Sequence, residues 1–151
     1  MAAKYRKVDS WIWVDEKFSK LEQMDKLIAL YVLTGQSNRV GLFMFNMIDF
    51  SREVGIIMPQ CGPALQFVCD EMGWMYDDSG RVVFIPNWWK ENPRERCELL
   101  GDESVFLDLH WLPYTPLFPQ WWDTVRDFIS SKGWNDIIED CVEYLHENSL
   151  C

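Results

Sequence analysis

A mainly α-helical chain carrying one small β-wing is what this sequence predicts, and three observations carry that expectation. Leu65, Val68 and Met72 recur at helical spacing over residues 64–72, with Pro63 in the first turn and Gly73 as the stop. Residues 74–85 then hold two short apolar runs, Trp74-Met75-Tyr76 and Arg81-Val82-Val83-Phe84-Ile85. The polar turn Asp77-Asp78-Ser79-Gly80 between them is a hairpin signal. The third observation is charge. Residues 1–97 hold 12 basic and 13 acidic side chains, whereas residues 98–151 hold 2 and 11.

The remaining elements follow in order. Residues 8–14 alternate loosely, so Trp11 and Trp13 share a face if extended. Residues 15–21 read as a short helix or turn. Residues 24–33 form the clearest early helix, with Leu27, Leu30 and Tyr31 on one stripe and Ile28 beside it. After a loop at residues 34–38, residues 40–45 are a short apolar strand. Asn46 is placed to cap a helix over residues 47–54 that ends at Gly55. Beyond the hairpin, residues 87–93 close the unit. Three further helices are expected at residues 94–109, 120–131 and 135–146, the first with a break at Gly101 and the last capped by Asn135.

Helix, strand, helix, helix and two-stranded wing is the order of a winged helix-turn-helix. The expected organisation is therefore a winged-helix domain at residues 1–93 and an acidic helical extension at residues 94–151 packed on it. The wording of the first part points the same way. It includes Lys4-Tyr5-Arg6-Lys7-Val8-Asp9, Trp13 with Asp15-Glu16-Lys17-Phe18, Lys26-Leu27, Leu30-Tyr31-Val32-Leu33-Thr34 and Val40-Gly41-Leu42-Phe43. It ends in Val83-Phe84-Ile85-Pro86-Asn87-Trp88-Trp89-Lys90-Glu91-Asn92-Pro93. Over residues 4–93 this resembles the N-terminal domain of phage and prophage replication-initiation (replisome organiser) proteins. A weaker echo is Leu112-Pro113 with Pro116-Leu117. The resemblance implies a DNA-binding winged helix tied to a C-terminal part that recruits helicase-loading machinery. No counterpart of that second part is expected within residues 94–151. Where the family helix commonly begins with basic residues, this chain has Gln60, Cys61, Gly62 and Pro63.

Candidate contacts fall into two sets. Lys4, Arg6, Lys7, Arg39, Arg81, Lys90, Arg94 and Arg96 supply the cations for a basic rim, and Gln60 and Gln66 the side chains for base reading. Scattered solvated charges are the plain alternative. Asp136, Glu139, Asp140, Glu143 and Glu147 lie along one side of the last helix, opposite Ile138, Cys141, Val142 and Leu145. They read either as a phosphate-mimicking strip for a basic partner or as an ordinary solvated face. Trp11, Trp13, Trp88 and Trp89 form an aromatic platform or pack the core.

Several classes are set aside. No phosphate loop, nucleophile elbow or His-Glu-x-x-His motif occurs, so a non-enzyme without cofactor is expected. His110 and His146 are isolated, and no metal site is expected. Five scattered cysteines read as reduced thiols in a cytoplasm. The chain shows neither a secretory leader nor a membrane span. The leading functional expectation is a phage-type inhibitor acting by protein contact on a host nucleic-acid-handling complex, such as a CRISPR effector, in the manner of anti-CRISPR proteins. The second is a DNA-binding replication-initiation or regulatory protein. The third is a structural module with no nucleic-acid link. Fold resemblance alone does not choose among them.

Overall fold

Two aspartates start the first of the described turns. Asp9 Oδ1 accepts a hydrogen bond from the Trp11 amide at 2.9 Å and opens a 3-10 helix, Ser10–Val14. Asp15 Oδ1 accepts from the Lys17 and Phe18 amides and opens α1, Glu16–Ser19. The extended segment expected at residues 8–14 is thus helical, because the Asp9 cap captures the backbone. A computed structural model of the chain describes residues 8–34, 39–55 and 61–150. The remaining expectations at Lys4, Arg6, Lys7 and Gln60 lie outside the described residues.

Helix α2, Gln23–Thr34, buries Ile28, Ala29 and Val32. Leu27, Leu30 and Tyr31, the expected stripe, are only half-buried, so the inward face is turned from the one periodicity favoured. Tyr31 instead meets Phe45 and Phe50 edge-on. Strand β1 is Leu42–Met44, and α3 is Met47–Val54. Asn46 Oδ1 accepts from the Asp49 amide at 3.0 Å, and Gly55, at φ +79°, ends the helix, as expected.

Helix α4, Cys61–Met72, packs Leu65, Val68 and Cys69 inward. Gly73, at φ +76°, lets the Trp74 amide reach back to the Cys69 carbonyl at 2.8 Å and close the helix. The hairpin is β2, Met75–Asp77, and β3, Val82–Phe84. Strand β3 is central and antiparallel to both neighbours, in the order β1-β3-β2. Leu42 and Met75 both oppose Phe84, and Met44 and Asp77 both oppose Val82. The chain is therefore helix-rich with one small antiparallel sheet.

Helix α5, Trp88–Glu91, drives two tryptophans into the interior. The single helix expected at residues 94–109 is absent. Two 3-10 turns, Arg96–Glu98 and Val105–Trp111, stand there instead. Gly101, at φ +101°, breaks the run. Ser104 Oγ then donates to the Leu99 carbonyl and accepts from the Phe106 amide, which starts the second turn. Helix α6, Phe118–Ser131, begins two residues earlier than expected, with Pro119 in its first turn. Asn135 does not cap the last helix. Its side chain pairs with Ser130 Oγ at 2.8 Å, and a 3-10 turn, Asn135–Ile137, precedes α7, Ile138–Glu147.

One strap ties the two parts together. The Val40 carbonyl accepts from the indoles of Trp89 at 3.0 Å and Trp121 at 2.7 Å, and the Arg39 carbonyl from Trp88 at 3.1 Å. The Arg39 guanidinium grips both carboxylate oxygens of Asp108, and its amide donates to Oδ2 at 2.7 Å. Gly41 (φ +87°) has no room for a side chain, since a Cβ would lie 2.7 Å from Trp88. Phe106, Trp121 and Phe128 join the same buried cluster as Phe43 and Phe84.

Candidate functional site

The outward surface of α4 is the first place to look for a nucleic-acid contact, and it holds no cation. Pro63, Phe67, Asp70 and Glu71 are exposed there. Gln66 is half-buried and donates to Asp70 at 2.9 Å, within its own helix. Arg81 is exposed with φ +54°, and its guanidinium lies against the Met47 sulfur at the start of α3. Lys90 is exposed on α5 and makes no ion pair among the described residues.

Three other cations of the expected rim are engaged. Arg39 pairs with Asp108, and the two side chains are only 15% and 12% exposed. Arg94 pairs with Glu98 at 3.3 Å. Arg96 makes a two-bond contact with Asp136. Two of these carboxylates, Asp108 and Asp136, are distant in sequence, which is why the free basic rim was read there. A contact to phosphate would have to compete with each pair.

The turn of the hairpin is packed on one side only. Asp77 is buried, and its Oδ1 accepts from the Ser79 amide at 3.1 Å and the Ser79 hydroxyl at 2.7 Å. Burial pushes this carboxyl up, but the Ser79 and Thr115 hydroxyls and the Ser79 and Gly80 amides around it hold it below the usual carboxylate range. A Cβ on Gly80 would lie 3.2 Å from Pro113. The segment at residues 113–115 therefore packs against one side of the turn, while Asp78 and Ser79 at its tip are exposed.

Helix α7 keeps the expected split. Cys141 and Leu145 are buried, Ile138 and Val142 are half-buried, and Glu139, Asp140, Glu143 and Glu147 are exposed. None of those four carboxylates is in an ion pair among the described residues. Asp136 differs, because the Arg96 hydrogen bonds hold its carboxyl below its ordinary range. The helix is moored by Tyr144, whose hydroxyl donates to the Gly101 carbonyl at 2.9 Å and whose ring meets Phe106.

The expected tryptophan platform divides. Trp88 and Trp89 are core residues, held by the carbonyls of Arg39 and Val40. Trp11 and Trp13 are 73% and 62% exposed. Trp111 and Tyr114, which the sequence reading passed over, are still more exposed. Their signal was the proline-rich stretch from Pro113 to Pro116, which holds Tyr114 and ends the 3-10 turn at Trp111.

Glu91 was also passed over. The residue is exposed at the rim, but partial loss of hydration first, and then the charges of Asp9 and Asp15, push its carboxyl above the ordinary value. Its folded form holds the proton more tightly than its unfolded form, so stability falls as pH rises through that range. Glu91→Gln should raise Tm at neutral pH and leave it unchanged below about pH 4, where the unfolded carboxyl is also protonated. A pair of thermal melts checks this.

Burial pushes the Cys69 thiol up to about 12 and Cys141 up to about 11, so neither is a thiolate at neutral pH. Among the described residues, no cluster of His, Cys, Asp or Glu could hold a metal ion, and no helix is long and apolar enough to cross a membrane. Compared with known proteins, the chain matches no family model, no curated protein and no solved structure.

Proposed function

We propose that this chain is a phage-type winged helix-turn-helix that acts by protein contact, without catalysis, and inhibits a host nucleic-acid-handling complex such as a CRISPR effector. The acidic face of α7 docks on a basic surface of that complex. The observation that carries this reading is the distribution of free charge. Helix α4 offers Phe67, Asp70 and Glu71 outward, whereas α7 offers four exposed carboxylates that are in no ion pair among the described residues, with Arg96 near enough to Asp140 to be felt.

The winged-helix assignment is supported by the element order from α2 to β3 and by the pairing of β1 with the hairpin. The resemblance of residues 4–93 to replisome organiser domains supports the phage context. An exposed carboxylate, Asp78, at the hairpin turn and three engaged arginines weaken the DNA-binding alternative. Acidic strips repel phosphate and steer basic surfaces towards them.

The test is Glu139→Gln, Asp140→Asn and Glu143→Gln combined. Like charges along one helix destabilise it by a few tenths of a kcal/mol per pair, so Tm should hold or rise slightly. Losing desolvated charge pairs at an interface costs about 2–5 kcal/mol, so inhibition of DNA cleavage by a purified effector complex should weaken by more than about tenfold. If the intact chain inhibits none of the nucleic-acid-handling complexes assayed, or the triple variant inhibits equally well, the reading fails.

A further inference from the structure

A groove of about 690 Å³ opens between the 3-10 helix Ser10–Val14, the end of α4 and the exit of β3. Leu33, Met72 and Ile85 give it an apolar floor. Asp9, Asp15 and Glu91 line its edges against a single lysine, Lys17. Trp11 also lines it and stays largely exposed, although a tryptophan left in water forfeits the burial its ring could gain.

Among the described residues the three carboxylates outnumber the one cation, Lys17, that lines the groove. Asp9 and Asp15 each use Oδ1 to hold a helix start, and neither is in an ion pair among the described residues. Glu91 shares their space and feels both charges. The volume falls within the range of roughly 300–1,000 Å³ usual for binding clefts. Apolar walls with an acidic edge and an indole match one kind of visitor, a long aliphatic stem ending in a cation. Phosphate-bearing ligands are repelled by the same edge.

We propose that this groove binds a lysine- or arginine-bearing segment of a partner protein. The stem lies along Leu33, Met72 and Ile85, the cationic head sits among Glu91, Asp9 and Asp15, and Trp11 closes over it. The groove and the α7 face belong to different elements, so this site goes beyond the inhibitor reading and fails independently of it.

The probe is a fluorescein-labelled peptide alternating leucine and lysine, titrated into the full chain at near-physiological salt and followed by anisotropy. Saturable binding is expected. It should weaken by at least about tenfold in Glu91→Lys, less in Glu91→Gln, and by a similar factor when the peptide lysines are acetylated. The combined α7 substitutions should leave it unchanged, and circular dichroism checks that each variant is folded. Absence of saturable binding overturns the proposal, as does equal affinity for folded Glu91→Lys or loss of binding with the α7 substitutions. If only Lys4→Gln, Arg6→Gln and Lys7→Gln combined binds the peptide, the chain's own N-terminal arm fills the groove and the partner proposal is wrong.

Discussion

Trp121→Ala should remove a large share of the chain's stability. Trp121 is fully buried among Phe106 and Phe118, and its indole donates to Val40. Truncating a buried tryptophan costs about 3–5 kcal/mol, against a total stability of about 5–15 kcal/mol for an ordinary domain. Trp121→Phe keeps much of the volume and removes the hydrogen bond. The buried Val40 carbonyl keeps its bond from Trp89, so a loss of about 1–2 kcal/mol is expected, mostly from packing. Urea unfolding measures both. Because the acceptor lies between α2 and β1 and the donor lies in α6, one cooperative transition should shift as a whole. Two separate transitions, with only the later helices weakened, would show that the two parts fold independently.

Asp108→Ala is the second large effect. The carboxylate closes three hydrogen bonds from Arg39, two from the guanidinium and one from the main chain. Both side chains are mostly shielded from water. Removing one member of a shielded ion pair leaves the other charge uncompensated, at a cost of about 3 kcal/mol or somewhat more. Arg39→Met together with Asp108→Leu should recover a good part of that loss, since neither residue then buries an unpaired charge. The same urea series on the single and double variants reads the coupling. Additive losses would mean the pair contributes nothing specific to the strap.

Local chemistry made α3, α4 and the hairpin legible in the sequence. Asn46 and Gly55 bracket α3 within a few residues, and Gly73 closes α4 on its own. The face of α7 was legible because its period is set by neighbours three and four residues apart. The stretch after Pro93 was not. Gly101 and Ser104 offered the backbone a competing set of short-range bonds, and apolar spacing alone could not register that competition. The fate of the arginines was hidden for another reason. Arg39 meets a carboxylate 69 residues away and Arg96 one 40 residues away, so both looked free until the chain was folded. Trp88 and Trp89 were ambiguous in the same way, because the carbonyls that hold their indoles lie 49 residues earlier. Trp11 and Trp13 changed environment when Asp9 turned a strand-like pattern into a 3-10 helix.

The claim that this fold works through protein rather than DNA is tested most directly by equilibrium binding to duplex DNA across a salt series. Among the described residues, Arg81 and Lys90 are the cations of the expected rim outside ion pairs and α4 contributes none, and the sequence adds Lys4, Arg6 and Lys7. Binding at near-physiological salt should therefore be weak, independent of sequence and steeply lost as salt rises, with each phosphate contact adding about −0.9 to the log–log slope. Gln66→Ala should change nothing, and Lys90→Gln should lower the slope. Tight, sequence-selective binding at that salt, abolished by Gln66→Ala, would contradict the account and restore α4 as a DNA-reading helix.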